Sequence, residues 1–372
     1  MRILHIYKDY YPVLGGIENH VRVLAEAQAA RGHDVAVLVT NPERRTVITD
    51  VHGVRIIFAG RLATLASTPI SAAMFYWARR LRHAADIVHL HFPYPLGEMA
   101  HLFSGSRTGT VITYHSDIVR QKILRVVYRP FLWRILRRAD RLIATSPRYI
   151  DTSPFLDRVR DKCVVVPLGV DVDRFTAADP DRVATLRSQL ATPTLPHLLL
   201  AVGRLRYYKG FGTLIEALPA LPSARGVIVG TGPMEAEWRA LAASLGVADR
   251  VVFAGEVPDA ELPLYYHAAD VFVLPANARA EAFGTVLTEA MAAGLPCVTT
   301  EVGTGTSWVV QDGITGRVVT PRDPAALAEA VRTLLADPAR LREMGHAAIQ
   351  RARAEFDQSL MIDRVLSVYQ SL

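Results

Sequence analysis

Three constellations in the chain carry residue types suited to chemistry. The sharpest is AEAFGTVLTEAMAAGLPCV, from Ala280 to Val298, with Glu281 and Glu289 on either side of Gly284. A carboxylate can accept two hydroxyl hydrogen bonds, which suits a ribose or a hexose. Gly284 is placed to open a helix whose free amides can hold a phosphate. Paired acids on a solvated helix face are the plainer alternative, but Glu289 lies in the apolar run VLTEAMAAG and needs a partner if buried. The second constellation is VGRLRYYKGF, Val202 to Phe211, in which an apolar strand delivers Arg204 and Lys209 to one edge. A guanidinium fork and a mobile ammonium together suit a diphosphate. Two solvated surface charges are the alternative, weakened because the chain has only four lysines, Lys8, Lys122, Lys162 and Lys209. The third is LGGIEN, Leu14 to Asn19, where Gly15 and Gly16 precede a helix and allow either a close approach by an anion or simply a tight turn. It is not the dinucleotide fingerprint, which needs three spaced glycines and a distal acid, so a nicotinamide oxidoreductase is disfavoured.

The elements that position these residues follow from hydrophobic patterning. RILHIY, DVAVLVT, VRIIFA, DIVHLH, TVITYH, DRLIATS and CVVVPL are short, β-branched and nearly continuous in hydrophobicity, as parallel strands covered on both faces should be. Ile17, Val21, Leu24, Ala25 and Gln28 follow helical spacing, with Gly32 placed to end that helix. After Val170 the polar stretch DVDRFTAADPDR is expected to connect two domains. Alternation then resumes with HLLLAVG, GVIVG, RVVFAG, VFVLPA and PCVTT. Strands alternating with helices imply an α/β fold of two doubly wound parallel-sheet units, whose ligands lie at the carboxyl ends of the strands, in a cleft between the halves. The expected domains are 1–185 and 186–356, with a final helix over 357–372.

The chain has 372 residues, of which 50% are hydrophobic and 21% charged, too apolar for disorder and long enough for two cores. No apolar run reaches the ~20 residues that span a bilayer. No secretory signal pattern opens the sequence, and Cys163 and Cys297 cannot form a disulfide framework, so the expected location is cytoplasmic. The net charge of +6 is uneven: residues 1–185 hold 26 basic and 17 acidic residues, leaving 16 and 19 for the remainder. A net +9 half joined to a net −3 half suits an anionic partner on the first half only. Much of that charge lies over 118–141, where Arg120, Lys122, Arg125, Arg129, Arg134, Arg137, Arg138 and Arg141 interleave with apolar and aromatic residues around Pro130. This pattern suits peripheral contact with an anionic membrane, or an ordinary surface helix with solvated arginines. No nucleic-acid reading module stands beside it, so no nucleic-acid partner is expected. His89 and His91, at i and i+2, could seed a zinc site but have no third ligand nearby in sequence; lining an acceptor site or making core hydrogen bonds is the preferred reading.

Taken jointly, the GG-x-E loop (Gly15, Gly16, Glu18), the G-R-L…K-G pair, the two glutamates and the tail EVGTGTSWVVQDGITGRVV resemble the retaining glycosyltransferases of family 4, along essentially the whole chain. The resemblance implies the GT-B fold, two Rossmann-like domains facing across a deep cleft, with the C-terminal helix crossing back to the N-terminal domain. It implies a donor site made by Gly15, Gly16, Arg204, Lys209, Glu281, Phe283, Gly284, Thr285 and Glu289. In it Gly16 meets the distal phosphate, Arg204 and Lys209 hold the diphosphate, Glu289 binds ribose, Glu281 faces the transferred sugar, and His115 touches the sugar near the reacting carbon. It also implies retention of anomeric configuration, for which front-face attack is the preferred route and a covalent intermediate stays open. No DxD-type metal pair appears in a suitable loop, so a metal-independent reaction without cofactors is expected, with the two cations standing where Mg²⁺ stands elsewhere. Where many members carry Gly-Gly followed by Glu, this chain has Gly303-Thr304-Gly305-Thr306, so only backbone contacts to the sugar are expected there. YHSDIVRQK, SPRYIDTSPFL and GTGTSWV resemble mannosyltransferases of polysaccharide clusters. The expected donor is therefore GDP-mannose, with a UDP-hexose as the alternative. The expected acceptor is a glycan or polyprenyl-diphosphate-linked saccharide at the inner membrane face. A non-catalytic sugar-nucleotide-binding protein would share the nucleotide grip without needing Glu281 or His115.

Overall fold

A computed structural model of the chain describes residues 1–13, 15–65, 68–105, 109–117 and 122–372. They form two compact units, Met1–Pro167 with Met361–Leu372, and Leu168–Leu360. The first unit is built on β1 (Arg2–Ile6), β2 (Asp34–Asn41), β3 (Val47–Val51), β4 (Val54–Gly60), β7 (Ile87–Phe92), β8 (Gly109–Tyr114), β9 (Arg141–Ala144) and β10 (Cys163–Val165), with β5 (Ala63–Leu65) and β6 (Thr68–Ile70) forming a separate hairpin. The eight-stranded sheet runs β10-β9-β8-β7-β1-β2-β4-β3, parallel throughout except that β3 pairs antiparallel with β4. Residues of β7 are buried along its whole length, as expected of a central strand covered on both faces. β3 escapes the patterning because most of it is exposed, leaving no apolar run.

The helix Gly16–Ala30 starts at the glycine pair and buries His20, Val21, Leu24, Ala25 and Gln28; Gly32, at φ 82°, terminates it in the left-handed conformation that a side chain would disfavour. A later helix, Gln358–Gln370, returns to this unit from Met361 onward. Its Met361, Ile362, Val365 and Tyr369 pack with Ile3, Leu24, Ile87 and Val111 in one cluster. Each such apolar side chain contributes roughly 1.5–3 kcal/mol on burial, which is what ties this distant segment to the first sheet.

The second unit is a six-stranded parallel sheet made of β11 (His197–Val202), β12 (Ala224–Val229), β13 (Val251–Gly255), β14 (Val271–Leu274), β15 (Cys297–Thr300) and β16 (Gly316–Val319), ordered β13-β12-β11-β14-β15-β16. The order reverses direction at β11, so β11 and β14, which carry two of the three constellations at their carboxyl ends, lie side by side. The division between units falls at Pro167/Leu168 rather than at residue 185. The stretch expected to be a connection instead folds into helices Val172–Thr176 and Pro180–Leu190 of the second unit. Asp171 accepts from the Arg174 amide at 3.2 Å, and Asp179 caps the amides of Asp181 and Arg182. The polar residues that looked like linker chemistry are helix caps.

Of the basic stretch 118–141, Arg120 lies outside the described residues, as do the side chains of Lys122 and Arg125. Lys122, Arg125, Arg129, Arg134, Arg137 and Arg138 lie in the helix Lys122–Arg138, which contains Pro130, and Arg141 begins β9. Tyr128, Leu132, Ile135 and Leu136 are core, whereas Arg129, Arg134, Arg137 and Arg138 are exposed. Trp133 lies between two cations, with Arg137 and Arg158 at 5.8 and 5.5 Å from its ring. Among the described residues no helix is long and apolar enough to cross a membrane.

Candidate functional site

In the second unit, β11 ends at Val202; Gly203 follows, the Arg204 side chain is exposed, and Leu205 turns inward. One 3₁₀ turn, Tyr207–Lys209, leads to Gly210 and the helix Phe211–Ala217. Gly210 has φ 71°, and a Cβ there would stand 1.9 Å from the Pro275 carbonyl, so only glycine lets this turn press against the loop leaving β14. That approach brings Lys209 Nζ to 2.8 Å from Glu281 Oε2. Both residues are buried, 8% and 7% exposed. Burial works against the Lys209 charge, but the Glu281 carboxylate outweighs it and the net shift is upward, so the side chain is an ammonium at neutral pH. The lysine stem lies across Gly203, where a Cβ would meet its Cε at 3.0 Å. Glu281 Oε2 has this charge beside it at short range but no aligned hydrogen-bond donor. The two residues expected to face a ligand side by side are thus also each other's partner.

Glu289, within the helix Thr285–Ala292, accepts a hydrogen bond from Tyr266 Oη at 2.7 Å. Part of its surface is open, yet the carboxyl is enclosed enough that burial raises its pKa to about 6, against the pull of Tyr266, Arg174 and Lys209. This is the partner that a glutamate in an apolar run requires; Tyr266 carries no sequence signal that would have found it. Gly284, φ 81°, starts the helix with no side chain capping it, leaving its first amides available to an anion. Thr285 is partly exposed beside them. The Phe283 ring is 3% exposed and packs edge-on against Phe356 at 5.9 Å, so its side chain belongs to the core and only its backbone faces this edge.

The divergent loop Gly303–Thr306 is fastened to the Glu281 loop. Thr304 Oγ1 donates to the Glu281 carbonyl at 2.7 Å, the Gly305 amide donates to the Ala282 carbonyl at 2.7 Å, and Arg279 donates to the Gly303 carbonyl. Thr306 Oγ1 donates to the Thr300 carbonyl at 3.0 Å. Thr304 therefore holds the backbone around Glu281 and Thr306 ties the loop to the end of β15, tasks that sequence spacing did not reveal.

In the first unit the glycine pair divides its work. A Cβ on Gly15 would stand 2.1 Å from Glu18 Oε2, because the buried Glu18 carboxylate folds over it. Gly16 is exposed, with nothing within 4 Å of where its Cβ would be, so space remains there for a ligand. Lys8 lies 3.6 Å from Glu18. His115, directly after β8, is 5% exposed and sits in a group of buried histidines with His5, His20, His89 and His91. Two sets, His5/His89/His91 and His20/His91/His115, have nitrogens within 4.8 Å of one another, so third nitrogens do lie near His89 and His91, contrary to the expectation from spacing. Adjacent strands supply them: His5 is in register with His89. The lone pairs decide against a metal. His89 spans Tyr369 and Thr113 at 2.6 and 2.7 Å, and His91 bonds both His5 and His115 at 3.1 Å. Neither set retains three free nitrogens, and a cation would have to break these links.

Two parallel-sheet units, with cations, carboxylates and an open helix start at the carboxyl edge of the second, have the architecture of a GT-B glycosyltransferase. A solved structure of sucrose-phosphate synthase from Thermosynechococcus elongatus matches with a TM-score of 0.81 and 26% identity, covering 100% of this chain and 98% of that one. Residues 14–174 match Glycosyltransferase Family 4, and residues 183–353 match Glycosyl transferases group 1. D-rhamnosyltransferase WbpZ of Pseudomonas aeruginosa is 38% identical over 96% of this chain and 92% of its own length. O-antigen chain mannosyltransferase C of Escherichia coli is 36% identical over 100% and 99%. The chain belongs to glycosyltransferase family 4, group 1, and is a glycosyltransferase.

Proposed function

We propose that the protein is a retaining mannosyltransferase that uses GDP-mannose to extend a glycan or lipid-linked saccharide in surface polysaccharide assembly. The observation carrying the site assignment is the buried Lys209–Glu281 pair beside the exposed Arg204, at a sheet edge where an uncapped helix begins. Arg204 and Lys209 hold the diphosphate and offset the negative charge that develops on the leaving oxygen, a preorganised electrostatic effect needing no metal or cofactor. Glu289 accepts the ribose hydroxyls, and Glu281, fixed by Lys209 and by the threonine-anchored loop, accepts from the hexose. The helix-start amides at Gly284 and Thr285 serve a phosphate oxygen. In the first unit Gly16 is assigned to a phosphate oxygen, with Gly15 shaping the turn under Glu18, and His115 to a sugar hydroxyl near the reacting carbon. The acceptor hydroxyl attacks the anomeric carbon on the face the diphosphate leaves; the bond from that carbon to the phosphate oxygen breaks, and the leaving phosphate takes the hydroxyl proton.

The choice of mannose is supported by the 36%-identical relative whose name is O-antigen chain mannosyltransferase C. The exposed arginines of the helix Lys122–Arg138, with the partly buried Phe131 and Trp133, support peripheral contact with an anionic membrane at the cytoplasmic face, where a polyprenyl-diphosphate acceptor would be met. A thermal-shift screen against GDP-, UDP-, ADP- and TDP-sugars tests the donor, since a ligand of the native state stabilises it according to its affinity. GDP-mannose should give the largest shift. A larger shift with a UDP-hexose would replace the donor assignment, and donor binding without transfer or slow hydrolysis would replace the enzyme with a sensor.

A further inference from the structure

A file of hydrogen-bonded imidazoles runs from Gln28 to His115. His5 Nε2 lies 2.8 Å from Gln28 Oε1, His5 Nδ1 lies 3.1 Å from His91 Nε2, and His91 Nδ1 lies 3.1 Å from His115 Nε2. All four residues are buried. Burial lowers the pKa of each imidazole, to about 4 for His5, so the rings are neutral near pH 7. A neutral imidazole has one N–H and one lone pair, and every link consumes one of each. The file therefore has only two consistent polarities, and the group at its closed end selects one. Gln28 is held there by its other atom: its Nε2 donates to Tyr369 Oη at 3.3 Å, and Tyr369 Oη in turn lies 2.6 Å from His89 Nδ1. With the amide oxygen toward His5, His5 donates from Nε2 and accepts at Nδ1. His91 then donates from Nε2 and accepts at Nδ1, and His115 donates from Nε2. One atom is left over: His115 Nδ1, buried and without a partner.

We propose that Gln28 is a positioning residue which, through His5 and His91, fixes His115 with its proton on Nε2 and its lone pair on Nδ1. His115 then offers an acceptor, so the group it recognises must donate: a sugar carrying a free hydroxyl at that point. A deoxy or O-alkylated sugar there leaves the lone pair unmatched. The effect on turnover rests on the assignment of His115 to the sugar; the tautomer itself does not.

The test is a two-bond ¹⁵N–¹H correlation spectrum of the full-length protein, labelled at histidine and assigned through single histidine substitutions. At pH 7 His5, His91 and His115 should all show a protonated Nε2 and a bare Nδ1. A proton on His115 Nδ1, or different tautomers among the three, would overturn the proposal without any variant being needed. Gln28→Leu removes the acceptor and should give His115 a mixed tautomer, with transfer kcat down about tenfold, the worth of one hydrogen bond, and donor KM unchanged. Gln28→Glu keeps an oxygen toward His5 and should retain the wild-type His115 tautomer. An unchanged His115 signal in Gln28→Leu, or a changed one in Gln28→Glu, overturns the relay. A changed tautomer with unchanged kcat upholds the relay and removes His115 from the sugar instead.

Discussion

Removing either charge of the Lys209–Glu281 pair should damage the second unit more than removing both. The two groups are 2.8 Å apart and each is buried. Lys209→Met strands a carboxylate and Glu281→Gln strands an ammonium, in surroundings from which water is largely excluded. Breaking a buried pair by deleting one partner costs about 3–5 kcal/mol, most of it the penalty for the charge left behind. In a unit of this size each kcal/mol lowers Tm by roughly 2–4 °C, so each single variant should lose roughly 6–20 °C. The double variant Lys209→Met/Glu281→Gln strands nothing and should recover most of that loss, giving a coupling of at least about 2 kcal/mol in a double-mutant cycle. Activity should not recover with it. Lys209 is also assigned to the diphosphate, and a preorganised contact of this kind is worth about a hundredfold or more in kcat. Calorimetry or denaturant unfolding of the four proteins supplies the stabilities, and release of nucleoside diphosphate supplies the rates. Single variants that each lose less than about 1 kcal/mol, with losses that simply add, would show the pair to be an ordinary surface contact and would remove the basis for the site.

Two further outcomes follow from titrating groups. Glu289, raised to about 6 chiefly by burial, must be ionised to accept two ribose hydroxyls, so donor KM should climb about tenfold per pH unit below pH 6. Glu289→Gln should weaken donor binding at pH 7.5 and abolish that slope, and a slope persisting in the variant would contradict the assignment. The buried histidines act on stability with the opposite sign of shift: His5 is lowered to about 4 and His20 to about 3, both from 6.5, chiefly by burial. Between these values and 6.5 the unfolded chain binds more protons, so the stabilisation is complete above pH 6.5 and is lost as pH falls toward 4 and 3. His5 alone accounts for about 3 kcal/mol. Urea midpoints of the first unit should fall steeply from pH 6.5 to 4, and His20→Leu should make that fall shallower; a midpoint constant over this range would refute the neutral, buried assignment.

The parallel strands were legible because two covered faces leave a continuous apolar run, visible in IVHLHF and HLLLAV. β3 was not, since an antiparallel edge strand with its residues in solvent carries no such run. The caps at Asp171 and Asp179 passed for linker because capping and turn chemistry use the same residues. At the site, residue type and spacing placed Arg204, Lys209, Glu281 and Glu289 at neighbouring strand ends, but spacing says nothing of partners. The Lys209–Glu281 pair and the Tyr266 bond to Glu289 arise from the order of strands in the sheet. The histidines show the same limit: one strand displays His89 and His91, whereas His5 and His115 join them only because β1 and β8 flank β7.

The helix that supplies Tyr369 has a consequence for biosynthesis. Residues 361–372 are translated only after the entire second unit, yet they close an apolar face formed by Ile3, Ile87 and Val111. A nascent first unit must therefore wait on the ribosome with that face open and Gln28 unanchored, exposed to self-association or chaperone capture until the helix arrives.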